Sequence, residues 1–352
     1  MNDKIHRYYA HTIAGLEEVV MEDLLESLPG AGEAHLERGP RQGRVFFRYE
    51  RSPRRLLAVP SALSVYGMLA DVRGITVGKP GLERLCRSLE RLPLDAARAL
   101  VRACDPAVSL EAVRLSATVR GSHRFDGREL SRAAAETLER RWHLRPAAGG
   151  PALHLQIQVV GTRAVIGVQV GGRQEPGSPR RGGMEGPLAY CVARMMGIAA
   201  GDVVVAPGCS WTGAEQLAGS TSATVIGLSE RRPRRTGAVR PSPPSSSRCL
   251  RVLGAPAALP VVDGGASGAL AVFDATPGDG GPGTAVRLTE LARALGAGGV
   301  LAAVTANPKA FLAALRQAGL PFELLSGLGI GVGGRAYGLY LLARLELSLL
   351  PG

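Results

Sequence analysis

The stretch VRLSATVRGSHRF, residues Val113–Phe125, decides the fold of the first half of this chain. Apolar and polar side chains alternate from Val113 to Val119, and this period of two predicts a β-strand with one buried face. The basic loop that follows leads to Asp126 and Ser131, and either residue can cap a helix that runs to about Trp142. These residues therefore predict a strand, a basic loop and a helix in succession.

Two alternating stretches after this helix predict a hairpin. They are Leu153–Val159 and Ala164–Val170, with a turn at Gly161-Thr162. The next stretch, Gly171–Gly183, reads GGRQEPGSPRRGG and has the composition of a linker. We therefore expect the first half to end near residue 172 and a linker to cover residues 173–186.

The N-terminal residues predict a small α+β unit over residues 1–70. Strand patterns at Arg7–Thr12 and Arg44–Tyr49 alternate with helical patterns at Leu16–Leu28 and Pro53–Val59. Strand, helix, strand, helix is the beginning of a ferredoxin-like arrangement. A further helix around Leu82–Leu92 opens a separate predicted domain, which we place at residues 71–172.

From Pro187 to the end, short apolar strands are separated by helices, which predicts a parallel sheet covered on both faces. The glycine-rich stretch Gly327–Gly334 lies between the last two strand patterns and is interpreted as a turn. The predicted strands and helices are Leu188–Met196, Asp202–Val205, Val225–Leu228, Leu270–Phe273, Val286–Leu295, Val300–Thr305, Phe311–Ala318, Phe322–Leu325 and Tyr337–Ala343.

Composition restricts the classes of function. The formal net charge is +12, with 42 Lys and Arg against 30 Asp and Glu, which points to a phosphate-rich partner. Arg, Ala, Gly and Pro are all abundant, as in a GC-rich genome, so charge alone leaves nucleic-acid binding open. No run of about 18 apolar residues and no apolar signal core is present, so a cytoplasmic protein is expected. The five cysteines and six histidines lack metal-ligand spacing, so no metal site is expected.

Two segments together resemble a known family. Tyr8–Met21 (YYAHTIAGLEEVVM) and Val113–Phe125 with the hairpin behind it resemble the ferredoxin-like and THUMP modules of THUMP-containing RNA methyltransferases. Gly186–Met196 (GPLAYCVARMM) resembles the helix that introduces the methyltransferase domain of that family. The resemblance implies an α/β chain with a Rossmann-like class I methyltransferase domain at residues 187–352, and structured RNA, above all tRNA, as its partner.

The resemblance also implies an RNA-binding surface on residues 71–172. The matching residues are Arg120, His123 and Phe125, and Arg124, Arg128 and Arg132 can add phosphate contacts. Arg128 and Arg132 lie four residues apart on one helix face. The alternative for His123 is a structural role in the loop, and the alternative for Phe125 is a position in the core. For the arginines, the alternative is a solvated helix face.

S-adenosylmethionine is the cofactor that the resemblance implies. Matching or adjacent positions for it are Pro207, Gly208, Cys209, Gly213 and Glu230. Ala206, Trp211, Ser229 and Ala255 stand where the family has acids or a small residue beside the cofactor. Each missing charge-assisted hydrogen bond costs roughly 1.5–3 kcal/mol, so weakened cofactor binding is expected.

The catalytic loop of the family is matched in part. Phe273–Gly278 (FDATPG) places Asp274, Pro277 and Gly278 at the catalytic positions, and Asp274 can accept a hydrogen bond from a guanine amino group. An ordinary turn is the alternative for these residues. Three functions stay open: an RNA-binding relative with lost or weakened cofactor binding, an active RNA (guanine-N2) methyltransferase with a divergent pocket, and a protein-interaction module without RNA binding.

Overall fold

The computed structural model describes residues 5–147, 149–172, 186–207, 214, 217–219, 221–229, 248–253, 259, 261–273 and 282–346. The chain divides into two compact units. The first comprises residues 1–11, 21–37 and 44–175, and the second comprises residues 12–20, 38–43 and 176–352. Among the helices in these described ranges, none is long and apolar enough to cross a membrane.

An eight-stranded mixed sheet forms the body of the first unit, in the order β2-β3-β1-β4-β8-β7-β5-β6. Its strands are β1 (Arg7–Ile13), β2 (Gly32–Glu37), β3 (Gln42–Arg48), β4 (Ser64–Arg73), β5 (Ser109–Arg120), β6 (Arg145–Pro146), β7 (Ala152–Val160) and β8 (Arg163–Gly172). Its helices are α1 (Glu17–Ser27), a 3₁₀ helix (Pro53–Ala58), α2 (Lys79–Leu89), α3 (Leu94–Cys104) and α4 (Gly127–Trp142).

Strand β4 joins the two halves of this sheet. It pairs antiparallel with β1 on one side and with β8 on the other, from Ser64↔Gly172 to Arg73↔Arg163. The boundary that the sequence predicts between residues 70 and 71 therefore falls inside a strand, and residues on both sides of it belong to one continuous sheet. How the chain divides into domains within this unit stays a prediction.

The two faces of the first sheet differ in polarity, because alternate side chains of a strand point to opposite faces. On β7, Leu153, Leu155, Ile157 and Val159 are fully buried on the face that packs against helices, where α4 contributes Leu130, Ala134 and Leu138. The intervening residues of β7, His154, Gln156 and Gln158, lie on the opposite face. We refer to that side as the helix-free face, since no helix described for this unit packs on it.

A seven-stranded sheet forms the body of the second unit, in the order β11-β10-β9-β12-β13-β15-β14. The first five strands in this order are parallel, and β15 is antiparallel to both β13 and β14. The elements are α5 (Gly186–Met195), β9 (Val203–Pro207), β10 (Thr224–Ser229), β11 (Arg248–Leu253), β12 (Ala266–Phe273), α6 (Pro282–Ala294), β13 (Leu295–Thr305), α7 (Pro308–Ala318), β14 (Phe322–Val332) and β15 (Arg335–Arg344).

The predicted parallel sheet is confirmed, and so is the α/β fold class. The interpretation of Gly327–Gly334 as a turn is wrong for most of its length, because β14 continues to Val332 and pairs with β15. Only Gly333 and Gly334 form the turn, with φ of 56° and 80°, where residues with side chains are disfavoured. The sequence patterns also missed β2, β4, β6, β11 and α3.

Candidate nucleic-acid interface

Three segments of the first unit meet at one end of its sheet. They are Arg73–Lys79 after β4, Arg120–Asp126 after β5, and Val160–Arg163 between β7 and β8, and together we refer to them as the loop end. Backbone hydrogen bonds connect them: Ile75 N donates to Thr162 O at 2.8 Å, Arg124 N to Val77 O at 2.8 Å, and Gly161 N to Arg120 O at 3.0 Å. The loop end is therefore one connected surface.

Basic side chains without acidic partners concentrate at the loop end. Arg73, Arg84, Arg124 and Arg128 are exposed and Arg120 is half-buried. Within the described part of the chain, none of these five forms an ion pair. Arg84 belongs to α2, but its guanidinium lies beside Gly74, about 3.8 Å from where a Cβ would be. Such a surface attracts phosphates, and Arg suits them because its planar guanidinium binds two oxygens at once.

Two exposed apolar side chains lie among these arginines. Val77 is 49% exposed and Val160 is 45% exposed. Two of the acids nearby are paired: Asp71 lies 2.7 Å from Arg163, and Glu83 lies 3.9 Å from Lys79. The loop end therefore keeps a positive excess together with some apolar surface, a combination that suits sugar-phosphate chains.

The structure brings several of the predicted RNA-binding residues together here. Arg120 ends β5, Arg124 lies in the loop, and Arg128 lies in the first turn of α4. Asp126 caps this helix, since its carboxylate accepts from Arg128 N at 2.9 Å and Glu129 N at 2.8 Å. Because that carboxylate occupies the helix N-terminus, an RNA phosphate can meet Arg128 only through its side chain. Arg132 is exposed one turn further along α4.

His123 and Phe125 stabilise the loop. His123 Nε2 lies 2.8 Å from Gly161 O, and since a carbonyl oxygen only accepts, Nε2 carries the proton. Nδ1 is buried without a hydrogen-bond partner among the described residues. The ring lies 4.9 Å from that of Phe125, which is only 5% exposed and therefore belongs to the core. A direct RNA contact by His123 stays a prediction.

A polar network crosses the helix-free face of the same sheet. Glu37 Oε2 lies 2.7 Å from Arg44 Nη2, and Glu37 also pairs with Arg163. Arg44 donates to Gln158 Oε1 at 2.9 Å, and Gln158 Nε2 lies 3.2 Å from His11 Nε2. Burial and the nearby Arg44 charge lower the pKa of His11 to about 3, so this histidine is neutral at physiological pH. The network is a fixed, paired structure.

In the second unit, the predicted cofactor and catalytic segments follow adjacent parallel strands. Pro207 ends β9 opposite Leu228 of β10, Ser229 pairs with Leu253 of β11, and Phe273 ends β12 opposite Thr305. Ligands of such sheets bind beyond the carboxyl ends of the strands. The remaining predicted positions lie outside the described residues: Gly208, Cys209, Gly213, Glu230, Asp274, Pro277 and Gly278.

The described strand ends supply no carboxylate for S-adenosylmethionine. β9, β10 and β11 end in Pro207, Ser229 and Leu253, and Ala206 is fully buried within β9. By residue type, none of these three strand ends carries a carboxylate. The loops that follow them, with Gly208, Cys209, Gly213 and Glu230, lie outside the described residues, so weakened cofactor binding stays a prediction. Among the described residues, no group of three or more His, Cys, Asp or Glu side chains could hold a metal ion either.

Comparison with known proteins connects the chain to solved methylase structures. No protein-family model and no curated protein matches it. TrmN from Thermus thermophilus shares 22% identity, with a TM-score of 0.67 over 96% of this chain and 99% of that one. SMU.472, solved in complex with SAH, shares 11% identity, with a TM-score of 0.61 over 96% and 98% of the two chains.

A third solved structure is described as a predicted DNA methylase. The "predicted N6-adenine-specific DNA methylase" from Listeria monocytogenes str. 4b F2365 shares 11% identity, with a TM-score of 0.61 over 96% and 95% of the two chains. At these identities the likeness establishes the fold over nearly the whole chain. It leaves the substrate open, because a fold supports many functions.

Proposed function

We propose that this chain is an RNA-binding protein of the THUMP methyltransferase type, acting on tRNA or another structured RNA, with lost or weakened S-adenosylmethionine binding. The observation that carries the proposal is the set of arginines at the loop end without acidic partners. Arg120 and Arg124 lie where the resemblance to the THUMP module puts the RNA contact. The loss of acids at the ends of β9, β10 and β11 supports the weakened cofactor site.

An active RNA (guanine-N2) methyltransferase with a divergent pocket is the second candidate. It is favoured by the aligned carboxyl ends of β9, β10, β12 and β13 and by the likeness to SMU.472, which was solved with SAH. In this case Glu230 would supply the missing acid and Asp274 would hold the target amino group.

The RNA part is tested by filter binding of a tRNA transcript at rising salt. Phosphate contacts release counterions, so the logarithm of the association constant should fall linearly with the logarithm of salt. Arg120→Ala and Arg124→Ala should each reduce the slope by about one. Arg102→Ala is the matched control, because Arg102 is exposed in the same unit on α3, a helix that packs near Gly67, far along β4 from Arg73. A flat salt response would favour a protein-interaction module.

The cofactor part is tested by calorimetry with S-adenosylmethionine. The proposal expects a dissociation constant weaker than about 100 μM, equivalent to roughly −5.5 kcal/mol. Tighter binding that is lost in Glu230→Gln would instead establish the active candidate. Methyl transfer to the same tRNA, measured with labelled cofactor and with Asp274→Asn as the comparison, gives the second readout.

A further inference from the structure

Strand β5 carries a polar strip that continues from the loop end. Because side chains alternate along a strand, Arg114, Ser116, Thr118 and Arg120 all lie on one face. Ser116 Oγ lies 2.8 Å from His154 Nε2, and the His154 ring lies 6.3 Å from that of Tyr66 on β4, so this is the helix-free face. Between Arg114 and Arg120 the strip extends over roughly 20 Å.

The strip is accessible along an open edge. β6 pairs with β5 only at Ala112 and Val113, so beyond these residues no described strand covers the outer side of β5. Thr118 is exposed, whereas Arg114, Ser116 and Arg120 are half-buried. A ligand at the loop end can therefore extend along β5 without displacing any described element of this unit.

The chemistry of the strip combines hydroxyls with flanking positive charge. The Thr118 hydroxyl has no hydrogen-bond partner among the described residues, whereas that of Ser116 is held by His154. Arg114 donates to Gly150 O at 3.2 Å, and neither Arg114 nor Arg120 has an acidic partner in the part of the chain that the structure describes. The strip thus offers hydroxyl groups between two guanidinium groups, and no acid.

The tyrosine and phenylalanine rings of the same face are too buried to stack on bases. Tyr9, Phe46 and Tyr66 form a connected ring cluster there, but each is at most 3% exposed. Proteins that bind single strands use accessible aromatic side chains as stacking platforms. Duplex RNA is instead recognised through phosphates and the 2′-hydroxyls of its wide, shallow minor groove. A strand edge with hydroxyls between arginines matches the second mode.

We propose that the β5 strip binds the minor-groove edge of an RNA duplex and distinguishes RNA from DNA through the Thr118 hydroxyl, which contacts ribose 2′-hydroxyls. The inference rests on the proposed RNA-binding function and names the part of the RNA that this face takes. Arg114 and Arg120 hold the phosphates on either side, and the loop end continues the contact.

The test is fluorescence anisotropy of the full chain with three labelled probes: an RNA hairpin, a DNA hairpin of the same sequence, and an unpaired RNA of the same composition. The wild type should bind the RNA hairpin most tightly. Thr118→Val keeps the β-branched shape and removes the hydroxyl, and it should weaken RNA-hairpin binding by about fivefold, the equivalent of one hydrogen bond. DNA-hairpin binding should not change. Thr118→Ser, which keeps the hydroxyl, should restore the preference.

Several results would overturn the inference. Equal affinity for the two hairpins, or an unchanged preference in Thr118→Val, would remove the role of the hydroxyl. Tighter binding of the unpaired RNA would exclude the duplex. In each of these cases the salt-dependent tRNA binding of the proposed function would survive. If the wild type bound none of the RNA probes, the result would contradict both the proposed function and the proposed role of the β5 strip.

Discussion

The two sheets of this chain place their polar side chains differently. In the first unit, the helix-free face carries ion pairs among Glu37, Arg44 and Arg163 and buries His11 and Gln156. The buried core around the second sheet is made of aliphatic side chains with a few aromatic ones. Among the described residues of that sheet and its helices, the buried polar side chains are Thr284 and Thr305. The first sheet is thus specified partly by paired polar groups, and the second by apolar packing.

The largest expected effect lies in the apolar core of the second sheet. Phe311 is 2% exposed and its ring lies 5.0 Å from Phe273 and 5.5 Å from Tyr340. Phe311→Ala should lower the free energy of unfolding of this unit by about 3–5 kcal/mol, because a large cavity replaces the ring. Hydrogen exchange read by mass spectrometry checks this, with Arg316→Ala on the exposed side of the same helix as control. Equal protection of β12 and β13 in both variants would contradict it.

The next effect tests the paired charges of the first sheet. Glu37→Gln leaves Arg44, whose side chain is only 12% exposed, without its carboxylate. We expect a loss of about 1.5–3 kcal/mol in urea unfolding, typical of a hydrogen bond to a charged group. The matched control is Glu33→Gln, whose exposed pair with Arg48 should contribute under about 1 kcal/mol. Similar losses in the two variants would show that the network adds no stability of its own.

A smaller effect is expected from one added methyl group. A Cβ at Gly167 would lie 2.4 Å from Tyr9 Oη, inside the aromatic cluster of the helix-free face. Gly167→Ala should therefore cost about 1–3 kcal/mol through overpacking. At Gly329 in the second sheet a Cβ would meet nothing within 4 Å, so Gly329→Ala should be neutral or slightly stabilising. Thermal melts of both variants give the comparison, and equal shifts would refute it.

The last prediction concerns a pH dependence that originates in the first sheet. Burial lowers the pKa of His11 from 6.5 to about 3, so between these values the unfolded chain binds a proton that the folded chain does not. Stability from this group is therefore complete above about pH 6.5 and is lost as the pH falls towards about 3, with a slope of at most about 1.4 kcal/mol per pH unit. His11→Gln should flatten the measured slope of unfolding free energy between pH 6 and pH 4, relative to wild type. An unchanged slope would count against a buried, neutral His11.

Much of the fold follows from local patterns. The strands β5, β7 and β8 were predictable because each shows its own alternation of apolar and polar residues. Helix α4 was predictable because Asp126 marks its beginning. β2 (GEAHLE) was missed because it is a short, half-exposed edge strand without an apolar stripe. The core strands of the second unit were predictable because continuous Val, Leu and Ala runs leave few alternatives to a buried parallel sheet.

The candidate site was predictable only in part. Arg120, Arg124 and Arg128 follow the strand pattern directly, so the sequence indicated them. Arg73 and Arg84 reach the same surface because β4 pairs with β8 and because α2 follows β4 along the chain. No local pattern in the sequence encodes the pairing of β4 with β8. The polar network is equally hidden, since Arg44 and Gln158 are 114 residues apart. The loops that would hold the cofactor lie outside the described residues, so the predictions for them remain predictions.

The position of β4 also has a consequence for synthesis of the chain. Its last residues, up to Arg73, leave the ribosome long before their partners in β8, which begins at Arg163. Domains form during translation from the N-terminus. The edge of β4 that faces away from β1 therefore stays unpaired until the hairpin of β7 and β8 has been made. A pause in translation before residue 163 would therefore expose a strand edge that invites association with other chains. The same strand that unites the first sheet makes its folding depend on the last part of the unit to be made.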